Sequence, residues 1–258
     1  MLAHKFAGPA AQVVVVQLDA GQTAWCEAGR LVWKTANVGL RVQLAGPAGP
    51  NVLGALGRAV VTAVEVGRRR LAGERLTYHH LAAAGGSGLA AFAPPSPGEL
   101  RELRLDSGRG WLVARGALVV AEATVAPDLG TTLLGLLGRD GGQLELEGLA
   151  GAGSLFVAAS GSFLELDPAR YGGQVQVDAA RLVAVQEGVG ITVERAGALP
   201  GPELLASVLG GQPVSLATLS GAGVVLLQSA APAAAGADRA GGGAPDRPVP
   251  GWLGGNPG

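Results

Sequence analysis

The sequence predicts an all-β fold of three tandem β-sandwich repeats with short helical insertions, on three observations. A turn and strand phrase occurs three times, ending in Leu31-Val32, Leu118-Val119 and Leu182-Val183; each Leu-Val pair begins ten residues after a glycine (Gly21, Gly108, Gly172). A second phrase, glycine then Glu or Gln then a strand, begins at Gly73, Gly142 and Gly211, each 69 residues after the last. Glycine is abundant, at 44 of 258 residues, as many tight turns between short strands require. A fixed internal period is the signature of one supersecondary unit copied in tandem. The predicted divisions are 1–96, 97–162 and 163–229, followed by a disordered Ala/Gly/Pro-rich tail over 230–258.

The first repeat opens with Gln12–Leu18, a β-branched run closed by the turn Asp19-Ala20-Gly21. Ala24–Glu27 and Leu31–Lys34 continue it, hinged at Ala28-Gly29. Over Asn51–Arg70 the apolar residues Leu53, Leu56, Val60 and Val64 approach helical spacing, with Arg68, Arg69 and Arg70 where a helix C-terminus favours positive charge. Strands at Leu76–Leu81 and Leu89–Ala93 flank the glycine turn Gly85-Gly86-Ser87-Gly88, read as a hairpin turn, and Pro94, Pro95 and Pro97 close the unit.

The second repeat begins with Leu100–Leu105, which alternates leucine with charge, a half-exposed strand. Trp111–Val125 is strand-rich, Leu129–Leu137 reads as a short helix, and Leu144–Glu147 alternates again. Gly151-Ala152-Gly153, a second expected hairpin turn, leads into Ser154–Ala159. The third repeat runs through strands at Phe163–Asp167, Val175–Val177, Leu182–Gln186 and Ile191–Glu194. A short helix is predicted at Glu203–Leu209, then strands at Val214–Leu219 and Val224–Gln228. Beyond Ser229 the composition cannot bury enough surface to order itself, with Trp252 its single aromatic.

Composition narrows the function. Hydrophobic residues make up 48% but aromatics 4%, so Val, Leu and Ala must fill the core. A net charge of −1 lacks the basic surplus with which proteins track nucleic-acid phosphates. Cys26 is the single cysteine, which excludes an intramolecular disulfide and a cysteine-based metal site. Residues 204–237 carry no charge, yet Gly210-Gly211-Gln212-Pro213 and Ser220-Gly221-Ala222-Gly223 break every run of spanning length. Met1–Phe6 has no long apolar signal region. The expectation is a soluble, cytoplasmic protein.

Candidate chemistry is sparse. Adjacent His79 and His80 on a strand face opposite sides and cannot both hold one ion, and a surface or edge pair is expected. Glu27 and Asp178 sit in related repeats, but nothing in the sequence brings the carboxylates together. Ser160-Gly161-Ser162 is no nucleophile elbow, and a nucleophilic serine or Cys26 would have to recruit His4, His79 or His80. Cys26 reads as a small buried strand residue. The glycine turns lack the lysine and following helix of a phosphate loop. Arg58, Arg68, Arg69, Arg70 and Arg75 are the one basic concentration, without the stacking aromatics of single-strand binders. No catalytic, cofactor-binding or metal-binding residue is therefore expected.

Leu18-Asp19-Ala20-Gly21-Gln22 with Glu27-Ala28-Gly29, Pro97-Gly98-Glu99-Leu100, and Leu149–Gly153 with Ser160-Gly161 occur in an informative order. With Val177-Asp178, Leu182-Val183-Ala184 and the closing Gly221–Gln228, this order resembles the altered inheritance of mitochondria protein 24 family over roughly 12–229. The resemblance implies β-sandwich units like the tryptophan RNA-binding attenuation protein, related to the double-stranded β-helix. It also implies a largely uncharacterised group whose mitochondrial members are associated with inner-membrane organisation. The chain shows no transit peptide, so that setting is not carried over. Fold alone does not transfer RNA or tryptophan binding.

Two functions follow as expectations. The first is a non-enzymatic soluble scaffold or interaction protein that self-associates into a homo-oligomer, linked to membrane organisation or stress response, with peripheral membrane contact as a further partner and nucleic acid not expected. The second is a small-molecule or RNA binding module using clefts between repeats. No cofactor is expected for either.

Overall fold

The computed structural model describes residues 1–43, 78–106, 109–114, 116–127, 144, 146–195 and 215–230. The three predicted helices, the Arg58–Arg75 segment and all but the first residue of the predicted tail lie outside them. The described chain is almost entirely antiparallel β-structure. An extra strand, β1 (Ala3–Ala7), comes first. One set of six follows: β2 (Val13–Leu18), β3 (Thr23–Glu27), β4 (Leu31–Lys34), β5 (Val38–Gln43), β6 (Tyr78–Ala83) and β7 (Gly88–Phe92). The next is β8 (Leu100–Leu105), β9 (Trp111–Ala114), β10 (Leu118–Glu122), β11 (Val125–Pro127), β12 (Leu146–Gly151) and β13 (Gly153–Ala158). The last is β14 (Phe163–Leu166), β15 (Gln174–Asp178), β16 (Leu182–Gln186), β17 (Gly190–Arg195), β18 (Ser215–Ser220) and β19 (Val225–Gln228).

One pairing scheme serves all three sets. The first and third strands of a set flank its sixth, and the second and fourth flank its fifth. This gives β2-β7-β4 with β3-β6-β5, then β8-β13-β10 with β9-β12-β11, then β14-β19-β16 with β15-β18-β17. Even a local irregularity recurs. The register of the third strand against the sixth shifts between Leu31 and Trp33, between Leu118 and Val120, and between Leu182 and Ala184. The bulged residue is thus Val32, Val119 or Val183, the second member of the Leu-Val phrase.

Sets join edge to edge. β10 pairs with β3, and β16 pairs with β9, so the sheet orders are β1-β2-β7-β4, β5-β6-β3-β10-β13-β8, β11-β12-β9-β16-β19-β14 and β15-β18-β17. Three apolar cores lie between these layers. The first gathers Val14, Val16 and Phe92 with Cys26, Leu81, Val120 and Phe156. The second gathers Trp25, Leu103, Leu118 and Leu155 with Trp111, Leu149 and Val183. The third gathers Leu112, Leu146 and Leu182 with Val177, Ala217 and Leu219. Because β3, β10 and β13 alternate, their sheet supplies the first core from one face and the second core from the other. The second and third cores share the next sheet in the same way.

Several sequence expectations are corrected. The glycine turns Gly85–Gly88 and Gly151–Gly153 are not hairpins, because the strands on either side belong to different sheets. They are corners: Gly85, Gly86, Gly151 and Gly153 hold φ of 71°, 137°, 122° and 157°, which lets the chain turn from one layer into the next. A Cβ on Gly153 would lie 2.6 Å from a Glu122 carboxylate oxygen. His79 and His80 are not an edge pair; β6 runs between β3 and β5, and both side chains are half-buried. β1 and β5 had no clear sequence signal. Among the described residues β1 pairs with β2 alone, and it lays His4 and Phe6 edge-on against Phe156 at 4.8 and 6.1 Å between ring centroids.

Candidate functional site

The carboxylates and serines that the sequence singles out are spent on joints between elements. Glu27, at the end of β3, pairs with Arg30 three residues on. Arg30 is 7% exposed, and it reaches into the second set, donating from Nε to the Leu118 carbonyl at 3.2 Å and from Nη2 to the Gly116 carbonyl at 3.0 Å. Asp178 stands in the same relation to Arg181, at 3.8 Å, and its carboxylate also accepts from the Ala180 N–H at 3.0 Å. The two carboxylates lie in different sheets, the second and the fourth, and are not brought together.

At one end of the layers successive sets are stitched in the same manner twice. The Gln12 N–H donates to the Gly98 carbonyl, and Gln12 Oε1 accepts from the Leu100 N–H at 2.7 Å. One set later the Glu99 N–H donates to the Gly161 carbonyl, and Glu99 Oε2 accepts from the Phe163 N–H at 3.0 Å. That backbone bond, helped by the Ser162 hydroxyl and by Arg101, holds the Glu99 carboxyl below its ordinary range. Ser160 and Ser162 donate their N–H groups to Gln228 Oε1 and Ser229 Oγ. The serine-rich turn is therefore a joint between elements.

Cys26 is fully buried in the first core, and burial pushes its thiol up to about 12, which removes the thiolate needed for nucleophilic chemistry. His79 lies opposite Cys26 and His80 opposite Trp25. Burial lowers the His80 pKa, and His79 Nδ1 and His80 Nε2 are buried without a hydrogen-bond partner. Among the described residues no group of three or more His, Cys, Asp or Glu could hold a metal ion. A cleft of about 270 Å³ lined by Ala11–Val13 and Ala93–Pro97 has no charged side chain in its wall. Likewise, no helix of the described residues is long and apolar enough to cross a membrane.

What stands out is an edge. β4 pairs with β7 on one side and, among the described residues, with nothing on the other. Its counterparts β10 and β16 use that second side to join the neighbouring set. Val119 and Val183, at the bulge, are fully buried, as are Val120 and Ala184 after it. The corresponding Val32 and Trp33 are 55% and 44% exposed. Sequence reading found the repeated Leu-Val phrase but could not tell that one copy of it faces water. Among the described residues β15, the counterpart of β3 and β9, is likewise unpaired on the side that those strands use for joining.

The comparisons with known proteins agree with this architecture. A family model described as mitochondrial biogenesis AIM24 matches residues 4–230. The crystal structure of a Streptococcus pyogenes protein superposes with a TM-score of 0.62 at 20% identity, covering 90% of this chain and 94% of that one. At that identity the likeness is one of fold. No curated protein matches the chain.

Proposed function

The chain belongs to the mitochondrial biogenesis AIM24 family, and on that premise we propose that it is a non-enzymatic scaffold or interaction protein that works by associating with further copies of itself. The observation that carries this reading is the open β4 edge. An edge strand displays a row of unpaired N–H and C=O groups, and large apolar side chains beside it make pairing with another strand favourable. Val32 and Trp33 supply that apolar surface at positions whose counterparts are buried in the other two sets. The titratable side chains support the same reading, since Glu27, Arg30, Glu99 and Asp178 each hold a joint between elements.

Sedimentation velocity over a range of concentrations tests this directly. The expected result is a mass above one chain that falls on dilution. A single-chain mass at the highest concentration reached would overturn it. Val32→Lys weakens the association in the expected case, because a charge on an exposed edge opposes strand addition while the rest of the fold is left intact.

A further inference from the structure

We propose that copies of this chain join head to tail, β4 of one copy pairing antiparallel with β15 of the next in the register that places Lys34 opposite Gln176. The proposal rests on the self-association reading and names its interface. Two seams inside the chain define the register. At the first, Ala121 lies opposite Trp25 and Glu122 opposite Ala24. At the second, Val185 lies opposite Leu112 and Gln186 opposite Trp111. In each seam the third strand of the later set meets the second strand of the earlier set.

Counting from the shared bulge, two residues past Val119 and Val183 stand Ala121 and Val185; two residues past Val32 stands Lys34. Trp25 and Leu112 precede their Leu-Val phrases by six residues, and so does Gln176. β4 and β15 are the two strands of these classes left without a seam among the described residues. The chain thus ends in two unlike edges that fit one another in the way its own sets already do. A contact of this kind is heterologous, so it builds rings or filaments rather than closed pairs.

Side chains at the open edges suit a joint formed between separate molecules. Within the chain the seam pairs Ala121 with Trp25 and Val185 with Leu112, all buried and apolar. In the proposed joint both partners turn polar together, Lys34 against the exposed Gln176, so each edge stays wettable until the two meet. On the other face Trp33 falls opposite Val177, as Ala184 falls opposite Val113 inside the chain. An arginine is ready as well. Arg30, directly before its Leu-Val phrase, reaches across the first seam to Gly116 and Leu118. Arg181 occupies the same place in the third set, is 35% exposed, and would exchange its bond to the Ser229 carbonyl for the carbonyls of Gly29 and Leu31 on the next copy.

Cross-linking tests the register. In a Cys26→Ala background, Lys34→Cys protein is mixed with Gln176→Cys protein and treated with diamide. Directly opposed antiparallel residues have Cα atoms about 4.5–5.5 Å apart, within disulfide reach. The proposal expects covalent dimers in the mixture, at least tenfold above either variant alone, and a ladder of higher species from the Lys34→Cys/Gln176→Cys double variant. Strong cross-linking of Lys34→Cys by itself overturns it in favour of two β4 edges meeting symmetrically. Sedimentation that shows oligomers while the mixture stays uncross-linked overturns the proposed register and leaves self-association standing. A single-chain mass under all conditions defeats both. As a second perturbation, Arg181→Ala weakens association at least tenfold; an unchanged dissociation constant counts against the arginine bridge.

Discussion

Replacing Arg30 by methionine isolates what a single side chain does for the seam between the first two sets. The Arg30 side chain is 8% exposed, and its guanidinium serves three acceptors: the Leu118 and Gly116 carbonyls of the second set and the Glu27 carboxylate of its own. Methionine keeps much of the packing stem and removes every donor. Two carbonyls then lose charged partners, at about 1–3 kcal/mol each when left unsatisfied. Glu27 is 26% exposed and takes water instead, so its share is small. The expected destabilisation is about 3 kcal/mol, or roughly 6–12 °C in Tm for a protein of this size. Guanidinium unfolding followed by tryptophan fluorescence, with calorimetry beside it, reads the change. Arg181→Met is the matched control, since its side chain makes one exposed bond, to the Ser229 carbonyl at 2.7 Å, and a loose pair with Asp178. In dilute protein it should cost less than about 1 kcal/mol. Equal losses from the two arginines, or an Arg30→Met protein as stable as the parent, would refute the account of the seam. Arg30→Lys should recover less than half, because one ammonium cannot reach all three acceptors.

Three further outcomes follow from the packing. Gly98→Ala should destabilise strongly, by about 3 kcal/mol or more, because its Cβ would lie 1.8 Å from the Ala159 carbonyl oxygen; Gly29→Ala meets nothing within 4 Å and suffers only its positive φ of 89°, about 1 kcal/mol, so thermal melts should rank them in that order. The Cys26 thiol should resist alkylation at pH 8 in native protein and react on unfolding; since its pKa rises from 9.0 to about 12, the folded state binds the proton more tightly, and stability is full below pH 9 and falls with a slope approaching about 1.4 kcal/mol per unit as pH rises towards 12. Stoichiometric native labelling at pH 8 would contradict that burial. Glu99 titrates in the other direction: its folded pKa lies below 4.5, so its contribution is present above that value and lost as pH falls through the folded pKa, and Glu99→Gln should flatten the acid limb of a stability–pH curve that wild type shows.

Much of the strand plan is legible in the sequence. Leu31–Lys34, Leu100–Leu105 and Leu182–Gln186 were delimited from β-branched and alternating patterns, and these limits are the observed ones. β1 has no bounding turn signal in the sequence, because Ala3–Ala7 is held by tertiary contacts: its pairing with β2 and the packing of His4 and Phe6 on Phe156. The glycine corners read as hairpins in the sequence for a related reason. Gly-x-Gly reports that the chain turns sharply, but which sheet each flanking strand enters is settled by partners tens of residues away. For His79 and His80 alternation gives only that they face opposite sides, whereas their burial depends on β3 and β5 enclosing β6.

The candidate site divides along the same line. The repeated Leu-Val phrase is a fact of one-dimensional spacing, and spacing alone suffices to find it. That Val183 is sealed while Val32 meets water is not written in the phrase, because both copies carry the same residues. The difference comes from position in the stack: the second and third sets each follow a set whose second strand covers their third strand, and among the described residues the first set has no such neighbour. Local sequence determines which segments become strands, through side-chain alternation and turn stereochemistry. Tertiary structure alone decides which strand edges are left open, because an edge is closed only by backbone groups from another part of the fold.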